Sequence, residues 1–288
     1  MSKIVTISND YLSVDISTLG AEIVSIKYMG KERIWQGSPV WQGHAPILFP
    51  INGCVFDGYY EIDDQKYEMK AHGFARKTEY KVVAEEKTTA TFLIESNLET
   101  KKVYPFDFKF RVMFKVACQT LQVYYIVENH DSKKLFYNVG CHEGYLLDSK
   151  VKDYYIKFDG GETEVDNSLL TENFINDKKS VIKIGDKGLS LGEFFIPEND
   201  GESIIVENIK SKRATLCKGD EELLCVYYGD FPHLVLWTEG DQPFIAIEPW
   251  TGLPDVHGSG RKIEDKKSID TLDGNCSKTF YHSITFLD

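Results

Sequence analysis

The feature that most constrains the fold of this chain is a long run in which apolar and polar side chains alternate. Between residues 106 and 116 every even-numbered position is apolar and most odd-numbered positions are charged; after a turn at 117–120, the odd-numbered positions of 121–127 are apolar or aromatic. A period of two is typical of a strand with one buried face. The run therefore predicts a long antiparallel hairpin whose phenylalanines fill a core and do not stack on a ligand.

Shorter runs of the same kind cover most of the chain. They begin at 12–16, continue through 21–28, and return at 203–206, 224–228, 233–237, 244–247 and 280–286. Acidic, Gly-rich turns at 159–162 and 198–202 separate the middle segments, and one short helix is expected near 189–195. With no long amphipathic helix, linker or repeat, the pattern predicts an all-β protein, a single domain over residues 1–288 folded as a large antiparallel β-sandwich.

Composition excludes several classes of function. The net charge of -12 disfavours nucleic acid and anionic membrane surfaces as partners, and no apolar run approaches the roughly 18 residues of a membrane helix. The cysteines form no C-x-x-C pair and there is no glycine-rich phosphate loop, so we expect reduced thiols, no metal and no cofactor. The first residues lack a secretory signal pattern, and the expected location is the cytoplasm.

One candidate for acid–base chemistry is the carboxylate of Glu248. Four apolar residues from Phe244 lead into it, and Pro249, which has no backbone N–H, is expected to end the strand there. Glu248 is thus expected at the lip of a sheet, where Trp250 and the nearby Trp237 would partly desolvate it and raise its pKa into the range of a general base. The alternative is a strand-terminal glutamate that faces solvent.

Two histidine segments provide possible partners. In the first, His72, Phe74 and Arg76 share one face if the segment is extended, so that an imidazole, a ring and a guanidinium address one ligand. The alternative there is a lone histidine with a surface arginine. In the second, His142 follows an apolar strand, and it is either a satisfied core residue or a general acid. Together with Glu248, it supplies the pair that reversible proton transfer to two oxygens requires.

The order and spacing of these motifs resemble one family. His72-Gly73-Phe74-Ala75-Arg76, Gly140-Cys141-His142 and Glu248-Pro249-Trp250 are similar to motifs of the aldose 1-epimerase (galactose mutarotase-like) family, with the best match in its compact bacterial branch. The resemblance covers nearly the whole chain. It implies a β-supersandwich with an open cleft, a small-molecule sugar as ligand, and chemistry that needs neither metal nor redox cofactor.

The resemblance also assigns roles. Glu248 is implied to take the proton of the anomeric hydroxyl while His142 protonates the ring oxygen, about a sugar ring away across one pocket. His72 is implied to bind the sugar and assist at the ring oxygen, and Arg76 to anchor a hydroxyl or a phosphate. Trp237 and Trp250 are candidates for stacking on the sugar, although packing explains them equally well.

Two positions depart from the family pattern. Cys54 follows Gly53 where many relatives have an arginine, and Glu143 follows His142 where many have a proline. Glu143 either raises the pKa of His142 or points into water. The expected activity is mutarotation of a free hexose. A hexose 6-phosphate substrate and a non-catalytic sugar-binding protein remain alternatives, and a glycoside hydrolase, which needs two carboxylates at one bond, is disfavoured.

Overall fold

The computed structural model describes residues 2–196, 203–207, 209–240 and 242–287, so the turn predicted at 198–202 lies outside the described residues. The strands are, in chain order, β1 (Ile4–Ser8), β2 (Leu12–Ser17), β3 (Ile23–Tyr28), β4 (Lys31–Glu32), β5 (Ile47–Leu48), β6 (Tyr59–Ile62), β7 (Gln65–Glu68), β8 (Lys81–Glu85), β9 (Thr89–Glu95), β10 (Phe108–Ala117), β11 (Thr120–Asn129), β12 (Leu135–Tyr137), β13 (Gly140–Cys141), β14 (Glu143–Leu146), β15 (Tyr154–Phe158), β16 (Glu164–Thr171), β17 (Phe174–Lys183), β18 (Leu189–Ser190), β19 (Ile204–Glu207), β20 (Arg213–Lys218), β21 (Glu221–Tyr227), β22 (His233–Trp237), β23 (Phe244–Trp250), β24 (Asp270–Leu272) and β25 (Ser277–Phe286).

Helical structure within the described ranges is short. The α-helices are α1 (Thr100–Val103) and α2 (Leu191–Phe194), and the second confirms the helix predicted near 189–195. Single 3₁₀ turns lie at Phe56–Gly58, Ala75–Lys77, Val151–Asp153 and Ile263–Asp265. No helix in the described part of the chain is long and apolar enough to cross a membrane.

The predicted hairpin is confirmed at the centre of the larger sheet. Strands β10 and β11 pair antiparallel up to the turn between Ala117 and Thr120. Among the described residues this sheet holds nine strands in the order β18-β15-β20-β21-β25-β11-β10-β9-β8. The alternating apolar positions lie in the core, with Phe108, Phe110 and Phe114 no more than 1% exposed.

A second sheet faces the first. It holds eight strands in the described residues, with the path β17-β16-β19-β22-β23-β13-β5 and with β14 also paired to β23. Phe49, next to β5, stacks on Phe110 of the larger sheet with ring centroids 4.4 Å apart, so side chains from both sheets meet in one core. The opening strands β1 to β4 form a separate antiparallel meander, as the first alternating runs predict. The fold is the expected antiparallel β-sandwich of the galactose mutarotase-like type.

Candidate functional site

Strand β23 carries the candidate site and continues through its proline. The expectation that Pro249 ends the strand is wrong, because Leu234 of β22 pairs with it and the strand runs on to Trp250. On the other side, the ladder is interrupted opposite Pro249, between β13 and β14. A missing backbone N–H removes a hydrogen bond to one neighbouring strand and leaves the extended path of its own strand intact.

The register on either side of this interruption makes His142 and Glu248 cross-strand neighbours. Gly140 pairs with Trp250 and Glu143 pairs with Ile247, and this single register places His142 directly opposite Glu248. Opposed residues in an antiparallel pair point to the same face. The Nε2 atom of His142 lies 3.4 Å from Oε2 of Glu248. The two groups therefore sit side by side, closer than the expected separation of a sugar ring.

Glu248 lies inside the sheet and not at its lip. Its side chain is 1% exposed, which rules out the alternative of a glutamate that faces solvent. Burial, and after it the carboxylate of Glu143, raise the pKa of Glu248 well above its ordinary value, while a hydrogen bond to Trp250 opposes the shift. The direction agrees with the shift expected from desolvation.

The imidazole of His142 is shifted the other way. Its side chain is 14% exposed, and burial lowers the pKa of His142 to about 4, with a small further lowering by the Arg76 guanidinium. The charge of Glu143 acts in the expected upward direction but is outweighed by burial. Since burial disfavours charge on both members of the pair, it favours a protonated Glu248 beside a neutral His142.

Two glycines on the same strand pair leave room around His142. A Cβ added at Gly144 would lie 2.6 Å from Cζ3 of Trp41, and one at Gly140 would lie 2.7 Å from Nδ2 of Asn52. The indole of Trp41 occupies the first space, with its ring centroid 5.2 Å from that of His142 and the planes 30° apart. Trp41 lies in a loop outside any periodic pattern and was not among the predicted site residues. The glycine at 144, on the His142 face, was the available signal.

The His72 segment is not extended, so the prediction that His72, Phe74 and Arg76 share a face is wrong. His72 has a φ of 63° and is followed by the 3₁₀ turn at Ala75–Lys77. The turn sends Phe74 into the core, where it packs on Phe49 and Tyr104. His72 and Arg76 remain near His142. The turn therefore separates the phenyl ring of Phe74 from the two polar side chains.

His72 lies on the same wall as the candidate pair. Its ring centroid is 5.9 Å from that of His142 and 5.5 Å from that of Trp250, and its Nδ1 accepts a hydrogen bond of 3.2 Å from the backbone N–H of Gly53. Burial lowers the pKa of His72 well below its ordinary value, and His142 and Arg76 add to the shift. A neutral His72 that accepts at Nδ1 carries its hydrogen on Nε2, where it serves as a donor.

Arg76 is the nearby cation. Its Nη2 donates a hydrogen bond of 3.0 Å to the carbonyl of Ala71, and its charge acts on both histidines. Burial lowers the pKa of Arg76, and the carboxylate of Glu22 opposes that shift. Its buried Nε has no hydrogen-bond partner among the described residues.

The two predicted tryptophans differ in their surroundings. Trp237 meets the edge of His142 at 5.4 Å and the edge of Trp41 at 5.3 Å, and it is half-buried. Trp250 is 6% exposed, and its Nε1 donates a hydrogen bond of 3.3 Å to the carbonyl of Cys141. The structure thus brings Glu248, His142, His72, Arg76, Trp237 and Trp250 to one region, with packing accounting for much of the Trp250 environment.

The two departures from the family pattern have different structural settings. Glu143 does not point into water: it is 2% exposed on the opposite face of the strand, with Oε1 3.0 Å from Nε2 of His282. Burial raises the pKa of the Cys54 thiol, and the nearby buried ammonium of Lys266 opposes that shift. The side chain of Lys266 is 4% exposed, with Nζ 2.7 Å from Oδ1 of Asp255.

Comparisons with known proteins agree with this architecture. The Aldose 1-epimerase family model matches residues 3–266. The chromosomal protein LacX of Lactococcus lactis subsp. lactis is 31% identical over 99% of each chain. The solved structure of a galactose mutarotase related enzyme from Lactobacillus acidophilus has a TM-score of 0.92 at 28% identity, over 99% of this chain and 98% of that one. The solved structure of a galactose mutarotase-like protein from Lactobacillus casei ATCC 334 has a TM-score of 0.91 at 29% identity, over 99% of this chain and 100% of that one. Because the family model covers most of the sequence and these relatives match along nearly their full length, the chain belongs to the aldose 1-epimerase family.

Proposed function

We propose that the protein is an aldose 1-epimerase that interconverts the α and β anomers of a free hexose. The observation that carries the proposal is the side-by-side placement of two buried titrating groups, with His142 Nε2 and Glu248 Oε2 3.4 Å apart on one face of the sheet. The hydroxyl oxygen and the ring oxygen of a cyclic sugar are bonded to the same carbon, C1. Groups that serve both oxygens must therefore be neighbours, as these two are.

The reaction needs one proton to move at each oxygen. Glu248, as carboxylate, takes the proton of the hydroxyl on C1 while the C1–ring oxygen bond breaks and His142, as imidazolium, protonates the ring oxygen. The open aldehyde rotates about the bond from C1 to C2, and the reverse transfers close the ring on either face. After ring opening, the proton lies on Glu248 and His142 is neutral, which is the arrangement that burial favours. Ring closure returns Glu248 to carboxylate and His142 to imidazolium. A proton transfer from Glu248 to His142 converts the arrangement that burial favours into this reactive form before a closed sugar reacts.

The residues around the pair can bind the sugar without changing their own protonation. We assign His72 to the ring side of the sugar, because its Nε2 is available as a donor next to His142. Arg76 is assigned to a hydroxyl, through the Nε that has no partner within the described ranges. The half-buried rings of Trp237 and Trp41 offer apolar surface for a pyranose. Orientation of this kind lowers the barrier by holding the reacting atoms in register.

The position of Glu143 argues against a glycoside hydrolase. That reaction uses two carboxyl groups that flank one bond from the same cleft. Glu143 lies beside Glu248 in the sheet but points to the opposite face, toward His282, and so cannot reach a substrate that Glu248 contacts.

Anomer exchange measured by NMR across free and 6-phosphorylated aldoses tests the proposal. We expect acceleration over the spontaneous reaction, with free hexoses preferred because Arg76 alone is a weak phosphate site. Glu248→Gln and His142→Gln should each lower the exchange rate by about 10²- to 10⁴-fold, the usual contribution of a positioned acid or base. Glu248→Gln should still bind sugar in a titration.

A matched control is Glu207→Gln, which makes the same change at another buried glutamate. Glu207 is 8% exposed and lies on β19 in the same sheet, where its partners are Ser168, Lys179 and Lys267. It should leave the exchange rate near that of the unmodified protein. A protein that binds sugar without accelerating exchange would instead be a non-catalytic sugar-binding member of the family, and a preference for 6-phosphates would replace the free hexose as substrate.

A further inference from the structure

A buried pair of a carboxyl group and an imidazole lies directly behind the candidate acid and base. His142 lies between β13 and β14, and Glu143 begins β14. Because both strands pair with β23 in one register, alternation along this segment turns the two side chains to opposite faces of the sheet. His142 faces Glu248 and Trp41, whereas Glu143 enters the core between the two sheets at 2% exposure. A carboxylate in such a place is costly unless it is paired.

The partner of Glu143 comes from the opposite sheet. His282 lies on β25 with no exposed surface, and its Nε2 is 3.0 Å from Oε1 of Glu143. Its ring stacks on Tyr125 of β11, with centroids 5.6 Å apart and planes 9° apart, so the imidazole is held in place. The pair thus joins the strand of His142 to the centre of the larger sheet.

We propose that Glu143 and His282 act as a positioning pair, which fixes the strand of His142 and holds a carboxylate behind the His142–Glu248 pair. Buried polar pairs, even fully ionised ones, seldom stabilise a protein more than apolar residues of similar volume. Because stability alone does not explain the Glu143–His282 pair, its position next to His142 and Glu248 points to a role in the reaction. The charge of Glu143 is a cause of the raised pKa of Glu248, second to burial, and it acts upward on the pKa of His142. This inference rests on the proposed function for its effect on catalysis.

The other titratable groups around the pair are few. Glu143 is faced by Cys141 and Tyr145 from its own strands, by Tyr125 and His282 from the larger sheet, and by Glu248 across the strand pair. His142 is faced by Glu248, His72 and Arg76. Within this set, the charge of Glu143 acts upward on the pKa of Glu248 and on the pKa of His142. Loss of that charge should therefore lower both pKa values.

The test is the variant Glu143→Gln, which keeps the shape of the side chain and removes its charge. We expect the alkaline limb of the pH profile of kcat/KM to move down by about one pH unit, the size typical of losing one partly neutralised nearby charge. The carboxyl ¹³C signal of Glu248, assigned by its loss in Glu248→Gln, should show the same shift. That NMR titration does not depend on activity, so it still tests the pair if the protein proves not to catalyse exchange.

Two further measurements keep the inference falsifiable. Glu207→Gln should leave both the profile and the ¹³C titration unmoved. If Glu143→Gln fails to fold, the ¹⁵N signals of His282 in the unmodified protein should show a hydrogen-bonded proton on Nε2. An unmoved ¹³C titration in folded Glu143→Gln, or a bare Nε2 on His282, would overturn the proposal. Stoichiometric zinc in the purified protein that is lost in Cys141→Ser would also overturn it, since Cys141, Glu143 and His282 offer ligand atoms within 4.8 Å of one another.

Discussion

The space that Gly144 leaves beside His142 gives a sharp prediction for the variant Gly144→Ala. The added Cβ would lie 2.6 Å from Cζ3 and 3.0 Å from Cη2 of Trp41, and 3.3 Å from Cβ of Trp35. Carbon atoms in contact normally lie about 3.5–4.0 Å apart. The indole of Trp41 must therefore move by about 1 Å, away from its stacked position on His142.

The magnitude follows from this overlap. Overpacking of a well-packed site costs about 1–3 kcal/mol, while replacing glycine in a strand returns roughly 0.5–1 kcal/mol through the unfolded chain. From the central values of these two ranges, we expect Gly144→Ala to lower the free energy of unfolding by about 1 kcal/mol. Because a shift of about 1 Å next to a reacting group can cost up to about 10²-fold in rate, we expect kcat/KM for anomer exchange to fall about tenfold or more.

Urea denaturation and NMR anomer exchange measure the two effects, and a double-mutant cycle identifies their cause. Gly260→Ala is the matched control, because a Cβ at Gly260 meets no described atom within 4 Å. In a Trp41→Ala background the two shortest contacts are gone, so Gly144→Ala should cost about 1 kcal/mol less there. An equal cost in both backgrounds would refute the assignment of the strain to Trp41, and a stability equal to that of Gly260→Ala would refute the overlap itself.

Two predictions concern buried charge elsewhere. Burial lowers the pKa of His233 to about 4, so the unfolded chain takes up a proton first as the pH falls from about 6.5, and the folded protein loses about 3 kcal/mol of stability by pH ~4. His233→Gln should remove that part of the pH dependence of the free energy of unfolding, measured by urea denaturation. If the variant loses as much stability between pH 7 and pH 4 as the unmodified protein, the prediction is wrong. Asp255→Ala leaves the ammonium of Lys266 buried without its partner at 2.7 Å and should cost about 3–5 kcal/mol in the free energy of unfolding. Adding Lys266→Met to Asp255→Ala should restore most of the lost free energy of unfolding. A cost below about 1 kcal/mol for Asp255→Ala alone would contradict this expectation.

Much of the fold was predictable because the alternation of side chains is a local property. The even-numbered phenylalanines of β10 identify a buried face without knowledge of any partner strand. The same parity places His142 and Glu143 on opposite faces. It also places His282 among Phe280, Ile284 and Phe286 on an apolar face, so its burial was readable from the sequence.

Other features depended on strand pairing between distant parts of the chain. Pro249 was expected to end its strand, but whether a missing N–H matters depends on which neighbour that N–H would face. His72 was expected to share a face with Phe74, but a positive φ at His72 turns the segment. The stacking of Trp41 on His142 required a loop without periodic pattern to be placed against a glycine of another strand.

The sequence by itself determined the all-β class and the faces of the strands, and it predicted the six candidate site residues. Only the tertiary structure decided that His142 is opposite Glu248, that Trp41 covers it, and that Glu143 meets His282 in the core. The physical reason is that a side chain's face is set by its immediate neighbours in the chain, whereas register is set by hydrogen bonds and packing between strands that are far apart in sequence.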